Sequence, residues 1–227
     1  MTVRDVLESV ALRFNDTDYV RFTSGQYLKF LDDTILRLIQ IRPDAHTTTA
    51  VVDLVAGSRQ TIPDTGFSLI DIFMNKSGSA GSWTSGTPIL QVAREDLDYF
   101  NSWHTAEEIT EIDEFAYDLR NPRVFWVAPA PATAGTVHVE MVYSSGVDSY
   151  ANDPDDFATV LEKTIPMEDI YRSVLISGML SLCFSADSAS ATDRAVAQQY
   201  EQQFLQSLGL EYEASRELGP EIHDEVS

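Results

Sequence analysis

The chain has 227 residues, 44% hydrophobic and 22% charged, which is the composition of a globular protein rather than a disordered one. A chain of this length buries roughly 70% of its unfolded surface and needs neither disulfides nor a metal to hold a core; its one cysteine, Cys183, excludes an internal disulfide framework and a cysteine-rich zinc site, and fits folding in a reducing cytoplasm. With 36 acidic and 15 basic residues the net charge is −21, which excludes a tight grip on a phosphate backbone by counterion release and keeps the protein soluble.

Val3, Val6, Leu7, Val10 and Phe14 recur at helical spacing and predict a short amphipathic helix over residues 3–14, broken by the turn-forming side chains of Asn15-Asp16-Thr17-Asp18. The opening residues carry spread charges and no continuous apolar run, so they do not read as a targeting segment. Thr23 and Gln26 form a capping box for a second helix, with Tyr27, Leu28, Leu31, Ile35, Leu38 and Ile39 on its buried face and its end before Pro43.

From Thr47 the composition changes. Thr47–Val55 is β-branched and reads as a strand, Arg59–Ile62 as its short return, and Phe67–Met74 as another strand. Asn75–Thr87 reads as a loop, with Gly78, Gly81, Gly86, four serines and Trp83. Pro88–Ala93 predicts a further strand and Arg94–Asn101 a helical turn. Glu111–Tyr117, Arg123–Ala128 and Thr136–Tyr143 are three more strands; apolar residues on both faces of the middle one mark it as central and covered on both sides.

Ser144–Lys163 is a polar connection holding Asp148, Asp153, Asp155 and Asp156. Helices resume at Ile165, with Pro166 in the first turn and an apolar face of Met167, Ile170, Tyr171, Val174, Leu175 and Leu182. Its apolar window, Val174–Phe184, is too short to span a bilayer and is interrupted by Ser177, Gly178 and Ser181. A last helix over 189–208 carries the stripe Ala197, Tyr200, Phe204 and Leu208 and stops at Gly209. The expected fold is α+β: a discontinuous helical bundle from residues 1–45 and 164–210, an inserted antiparallel β-rich lobe over 46–145, an acidic connector over 146–163 and an acidic C-terminal tail over 211–227.

A search for chemistry finds no catalytic residue, metal site or cofactor motif. His46, His104, His138 and His223 lack metal-ligand spacing, and no nucleophile elbow, P-loop or dinucleotide fingerprint is present. The adjacent acids Asp32-Asp33, Glu107-Glu108 and Asp155-Asp156 are what a chain this acidic contains by composition, and residues 148–156 lack the EF-hand spacing. Cys183 reads as a buried small hydrophobe. The expectation is a non-enzyme that works through surfaces, with the Gly/Ser-rich loop around Ser79 and Trp83 as a contact loop. A hydrolase using an acidic pair is the competing enzyme reading, marked by a cleft with two carboxylates of separated pKa. A soluble binding module that stays monomeric is the third.

Four segments, in this order, resemble the head-to-tail adaptor (connector) proteins of tailed phages, especially the adaptor ring below the portal of short-tailed phages. The first is the opening helix pair, from Asp5-Val6-Leu7 through Phe22, Leu28, Leu31 and Asp32 to Pro43-Asp44-Ala45. The second is Leu54-Val55-Ala56-Gly57-Ser58-Arg59-Gln60-Thr61-Ile62-Pro63 with Leu69-Ile70-Asp71-Ile72 and Asn75. The third is Tyr117-Asp118 with Asn121-Pro122-Arg123-Val124-Phe125-Trp126-Val127-Ala128-Pro129. The last is Ile165-Pro166 before the paired C-terminal helices. The likeness covers residues 3–210, and the loops at 75–87 and 145–163 are longer than the family pattern.

The resemblance implies a structural virion protein of the neck or tail, assembled in the host cytoplasm. It implies a twelve-fold ring of copies under the portal protein that extends the DNA channel, carries the tail or nozzle protein, and lets DNA pass without specific binding, with no membrane anchor and no cofactor. The alternative within the class is a tail-completion or neck protein that contacts tail components. By analogy with family C-terminal segments that reach along the portal, Tyr212, Leu218 and Ile222 are the expected portal-binding anchors of the tail; Ser79 and Trp83 mark a subunit or tail contact loop.

Overall fold

Two threonines open the first two helices by the same device. Thr2 accepts the N–H of Asp5 while the Asp5 carboxylate accepts the N–H of Thr2, and Thr23 and Gln26 repeat the exchange. The computed structural model describes residues 1–98, 103–153, 155–187 and 191–218, with the side chains of 191 and 210–218 outside that description. Along these run the helices α1 (Val3–Phe14), α2 (Ser24–Ile41), α3 (Arg94–Asp98), α4 (Phe157–Leu161), α5 (Arg172–Ala186) and α6 (Ala191–Leu218). The strands are β1 (Thr47–Asp53), β2 (Arg59–Thr61), β3 (Gly66–Ser77), β4 (Thr84–Pro88), β5 (Leu90–Val92), β6 (Ala106–Glu107), β7 (Glu114–Tyr117), β8 (Val124–Ala128), β9 (Ala130–Pro131) and β10 (His138–Ser145). The fold is α+β, in two compact units: Met1–Arg42 with Val147–Ser227, and Pro43–Gly146. Among the described residues no helix is long and apolar enough to cross a membrane.

In the helical unit, α1, α2 and α6 each pack against α5. Accordingly α5 is buried on all sides, from Val174 through Leu180, Ser181 and Cys183. Gly178 makes the convergence possible: a Cβ there would lie 2.6 Å from Thr34 Cγ2 on α2 and 2.9 Å from the Phe204 ring on α6. The α1–α2 connection turns around Asp16, only 5% exposed, which accepts the N–H groups of Val20, Arg21 and Phe22 and the hydroxyl of Tyr27. Burial pushes this carboxyl up, but those four donors outweigh it and hold it below the ordinary aspartate value.

Two expectations for this unit are corrected. The helix expected from Ile165 begins at Arg172, after a 3-10 turn over Asp169–Tyr171, and Ile170 points to solvent at 57% exposure. The reason is a distant pairing: Thr164 bridges Thr2, Ile165 donates its N–H to the Met1 carbonyl, and Lys163 accepts from Val3, so this stretch is extended. The last helix does not stop at Gly209 but continues to Leu218. A glycine inside a helix costs only about 1 kcal/mol, and Leu208 is buried just before it while the helix formers Glu211 to Leu218 follow.

In the second unit the sheets are ordered β1-β10-β3-β4 and β2-β8-β7-β5, with a small β6-β9 pair. Residues of both sheets meet in one core, including Leu69, Ile72, Val139 and Met141 from the first and Phe115, Phe125 and Val127 from the second. β8 is a central strand: Phe125 and Val127 are fully buried, and Trp126 on the other face lies under the Arg94 guanidinium, 4.8 Å from its ring centre. The first sheet is antiparallel throughout, as expected for an antiparallel-rich lobe, while β5–β7 in the second sheet and the small β6–β9 pair run parallel.

The expected loop from Asn75 is a hairpin, with β3 continuing to Ser77 and β4 starting at Thr84. Asn75 itself is fully buried and ties the sheets together. Its amide donates to Thr87 Oγ1 and to the Ile112 carbonyl, both at 2.8 Å, and its oxygen accepts the Ile112 N–H at 3.0 Å.

The packing gives two expected outcomes. Gly178→Ala gains about 1 kcal/mol of helix propensity but overpacks the helix contact at a cost of about 1–3 kcal/mol, so thermal unfolding shifts down by a net loss of about 1 kcal/mol. For Asp16, whose folded pKa is depressed, the stabilisation is present above the ordinary aspartate range and disappears as pH falls through the folded value. Asp16→Asn lowers stability at neutral pH by about 1–3 kcal/mol, and urea titrations of the two proteins converge as pH falls below about 4.

Candidate interaction surface

The contact loop begins at a position only glycine fits. Gly78 has φ +113, and a Cβ there would lie 2.5 Å from the Ser82 carbonyl oxygen. The turn closes with the Ser82 N–H on the Ser79 carbonyl at 2.8 Å, leaving Ser79 exposed at the tip. Trp83 is only half-exposed. Its ring folds back onto its own sheet, 4.8 Å between ring centres from His138 of β10. His138 Nδ1 bonds Asp53 of β1 at 2.6 Å, and Lys76 of β3 lies 3.3 Å from Glu140. The outer face therefore carries a polar row, Asp53–His138–Lys76, with Trp83 over it. Ser79 and Trp83 share a loop, but only Ser79 stands clear of the protein.

On β3 the structure shows a feature that no residue type announced. The β3–β10 ladder slips at three bulges, and the residues left out of pairing are Phe67, Ile70 and Phe73. Leu69, Ile72 and Asn75 enter the core, whereas Phe67, Ile70 and Phe73 are 46%, 39% and 45% exposed. The strand thus presents an apolar stripe at every third residue. The spacing Phe-x-x-Ile-x-x-Phe was its only trace in the sequence.

Acids from two of the adjacent pairs serve separate structural tasks. Asp32 on α2 accepts from Ser149 Oγ at 2.7 Å and from the N–H groups of Tyr150 and Ala151, both at 3.0 Å. Asp155 and Asp153 flank the Lys163 ammonium at 2.7 and 2.5 Å, while Asp156 caps α4 through the Thr159 N–H. The Lys163 bond, then the Asp155 N–H, hold the Asp153 carboxyl below its usual value. A groove of about 560 Å³ beside α5 and α6 is lined by Arg37, Ser181, Arg194 and Glu201, and its one carboxylate is ion-paired with Arg37 and accepts from Ser181. Cys183 is fully buried, and burial pushes its thiol up to about 12. Among the described residues no group of three His, Cys, Asp or Glu could hold a metal ion.

Of the tail anchors, Tyr212 and Leu218 lie on the backbone of α6, and Ile222 lies outside the described residues. No curated protein matches the chain. The model of the SU10 adaptor protein family matches residues 1–222, nearly the whole length that builds both units. The chain therefore belongs to the SU10 adaptor protein family and is a phage adaptor.

Proposed function

We propose that this virion protein is a head-to-tail adaptor that forms a ring under the portal, extends the DNA channel and provides the platform for the tail. Family membership over residues 1–222 carries the reading. The charge supports it: a net of −21 suits a wall past which DNA slides without adhering. Identical subunits close a ring through heterologous contacts, and the exposed stripe of Phe67, Ile70 and Phe73 and the exposed tip at Ser79 are surfaces available for such contacts or for a tail component.

The portal contact is assigned to the C-terminal segment. α6 continues ten residues past the buried Leu208, which is about 15 Å of helix. Tyr212 and Leu218 on that extension, with Ile222 after it, are spaced apolar anchors in an acidic sequence. In this scheme the free subunit stays monomeric, and the portal ring organises the adaptor ring in twelve copies.

Light scattering of the purified chain alone and mixed with its phage's portal ring tests the proposal. The expected result is a monomer that forms a stoichiometric ring on the portal. Removal of residues 211–227 leaves the core contacts of Phe204 and Leu208 in place. It is expected to weaken portal attachment by at least about tenfold, equivalent to about 1.4 kcal/mol. Unchanged attachment of the shortened chain refutes the role of the segment, and a chain that ignores the portal refutes the portal-ring reading.

A further inference from the structure

The free edges of the two sheets are not alike. The first sheet ends on one side at β4, which contains Gly86 and Pro88 and pairs with β3 through a break in register. The second sheet ends in β2 and β5, each of three residues. Short, kinked or proline-bearing margins are how folded proteins keep sheet edges from recruiting other strands. β1, the remaining edge, has none of these guards. Its seven residues, Thr-Thr-Thr-Ala-Val-Val-Asp, include no proline, glycine, lysine or arginine, and they pair with β10 in unbroken register from Thr47–Ser144 to Asp53–His138.

The register fixes which peptide groups are already bonded. Ser145 donates its N–H to the His46 carbonyl at 3.2 Å, and Leu54 donates to the Val137 carbonyl at 3.0 Å. Even-numbered residues from 46 to 54 therefore face β10, and Thr47, Thr49, Val51 and Asp53 turn their N–H and C=O groups outward. Thr47, Thr49 and Asp53 are exposed and Val51 is half-buried. Among the described residues nothing bonds those outward backbone groups.

We infer that β1 accepts an extended segment of another virion protein, which joins the sheet as an added strand. The occupant is a strand because only an extended backbone offers donors and acceptors at the roughly 7 Å repeat of alternate residues. It is neutral or basic, because the edge closes on the exposed Asp53 and the whole chain carries −21. It is a partner rather than a second copy. Pairing β1 with its own equivalent would be isologous, whereas copies in the proposed ring meet head to tail through unlike surfaces. That the partner belongs to the virion rests on the adaptor reading.

Amide hydrogen exchange on the full chain, free and within the assembled phage particle, tests the inference. In the free chain the amides of Thr47, Thr49, Val51 and Asp53 exchange fast while Thr48, Ala50 and Val52 are protected. In the particle the first four slow by at least about tenfold. Thr49→Pro removes one outward N–H and no bond to β10, so the protein melts as before and joins heads to tails at least about tenfold less efficiently. If Thr49→Pro does not fold, Val51→Lys guards the edge with the backbone intact and is expected to give the same assembly defect.

Equal exchange of the four amides in free and assembled protein overturns the inference and leaves the adaptor reading standing. Concentration-dependent protection in the free chain assigns the edge to a second copy and also overturns it. Absence of the chain from the particle overturns both readings.

Discussion

The helical unit depends on one close approach. At Gly178 the central helix α5 has no side chain, and both α2 and α6 come within what would be Cβ contact distance. The apolar side chains of α5 point in every direction, so its sequence carries no solvent face and its burial needs partners all round. Those partners come from both ends of the sequence: α1 and α2 precede the β-rich unit, and α6 follows it. A core assembled this way ties the segment before the β-rich unit to the helices after it, and the entropic cost of the long intervening loop rises only slowly with its length.

Polar side chains inside such a protein earn their place by satisfying backbone groups that no regular element satisfies. Asp16 gathers three N–H groups in the α1–α2 connection, Asp32 gathers two where the chain runs through Ser149–Ala151, and Asn75 exchanges bonds with both groups of Ile112. Gln60 does the same in the turn after β1, bonding Val55 through both its N–H and its carbonyl. An acidic chain therefore has two populations of carboxylate. A few are structural ligands of the backbone, and the many others set the field around the molecule.

Local signals were legible wherever the structure is local. The capping box at Thr23 and the apolar spacing of α1 and α2 could be read directly, and β8 showed its central place by being apolar on both faces, whereas the matching box at Thr2 emerged only in the structure. Elements shaped by distant partners were not. The start of α5 depends on pairing between Thr2 and Thr164, and the extent of β3 depends on Asn75 reaching Ile112. β3 also has a period of three, produced by its bulges, which matches neither the strand template nor the helix template. The surface loop was visible through its glycines and Trp83, but the seat of Trp83 on His138, which lies on another strand, was not.

That three-residue period separates duties that an ordinary strand combines. In a regular strand, a residue that is not in the core lies on the single opposite face. On β3 the core set of Leu69, Ile72 and Asn75, the opposite-face set of the buried Ser68 and the half-buried Asp71 and Met74, and the exposed set of Phe67, Ile70 and Phe73 are disjoint. Mutation can therefore rewrite the exposed stripe while the residues that hold the sheets together stay untouched. A surface built this way can change its preference among binding partners without eroding the fold.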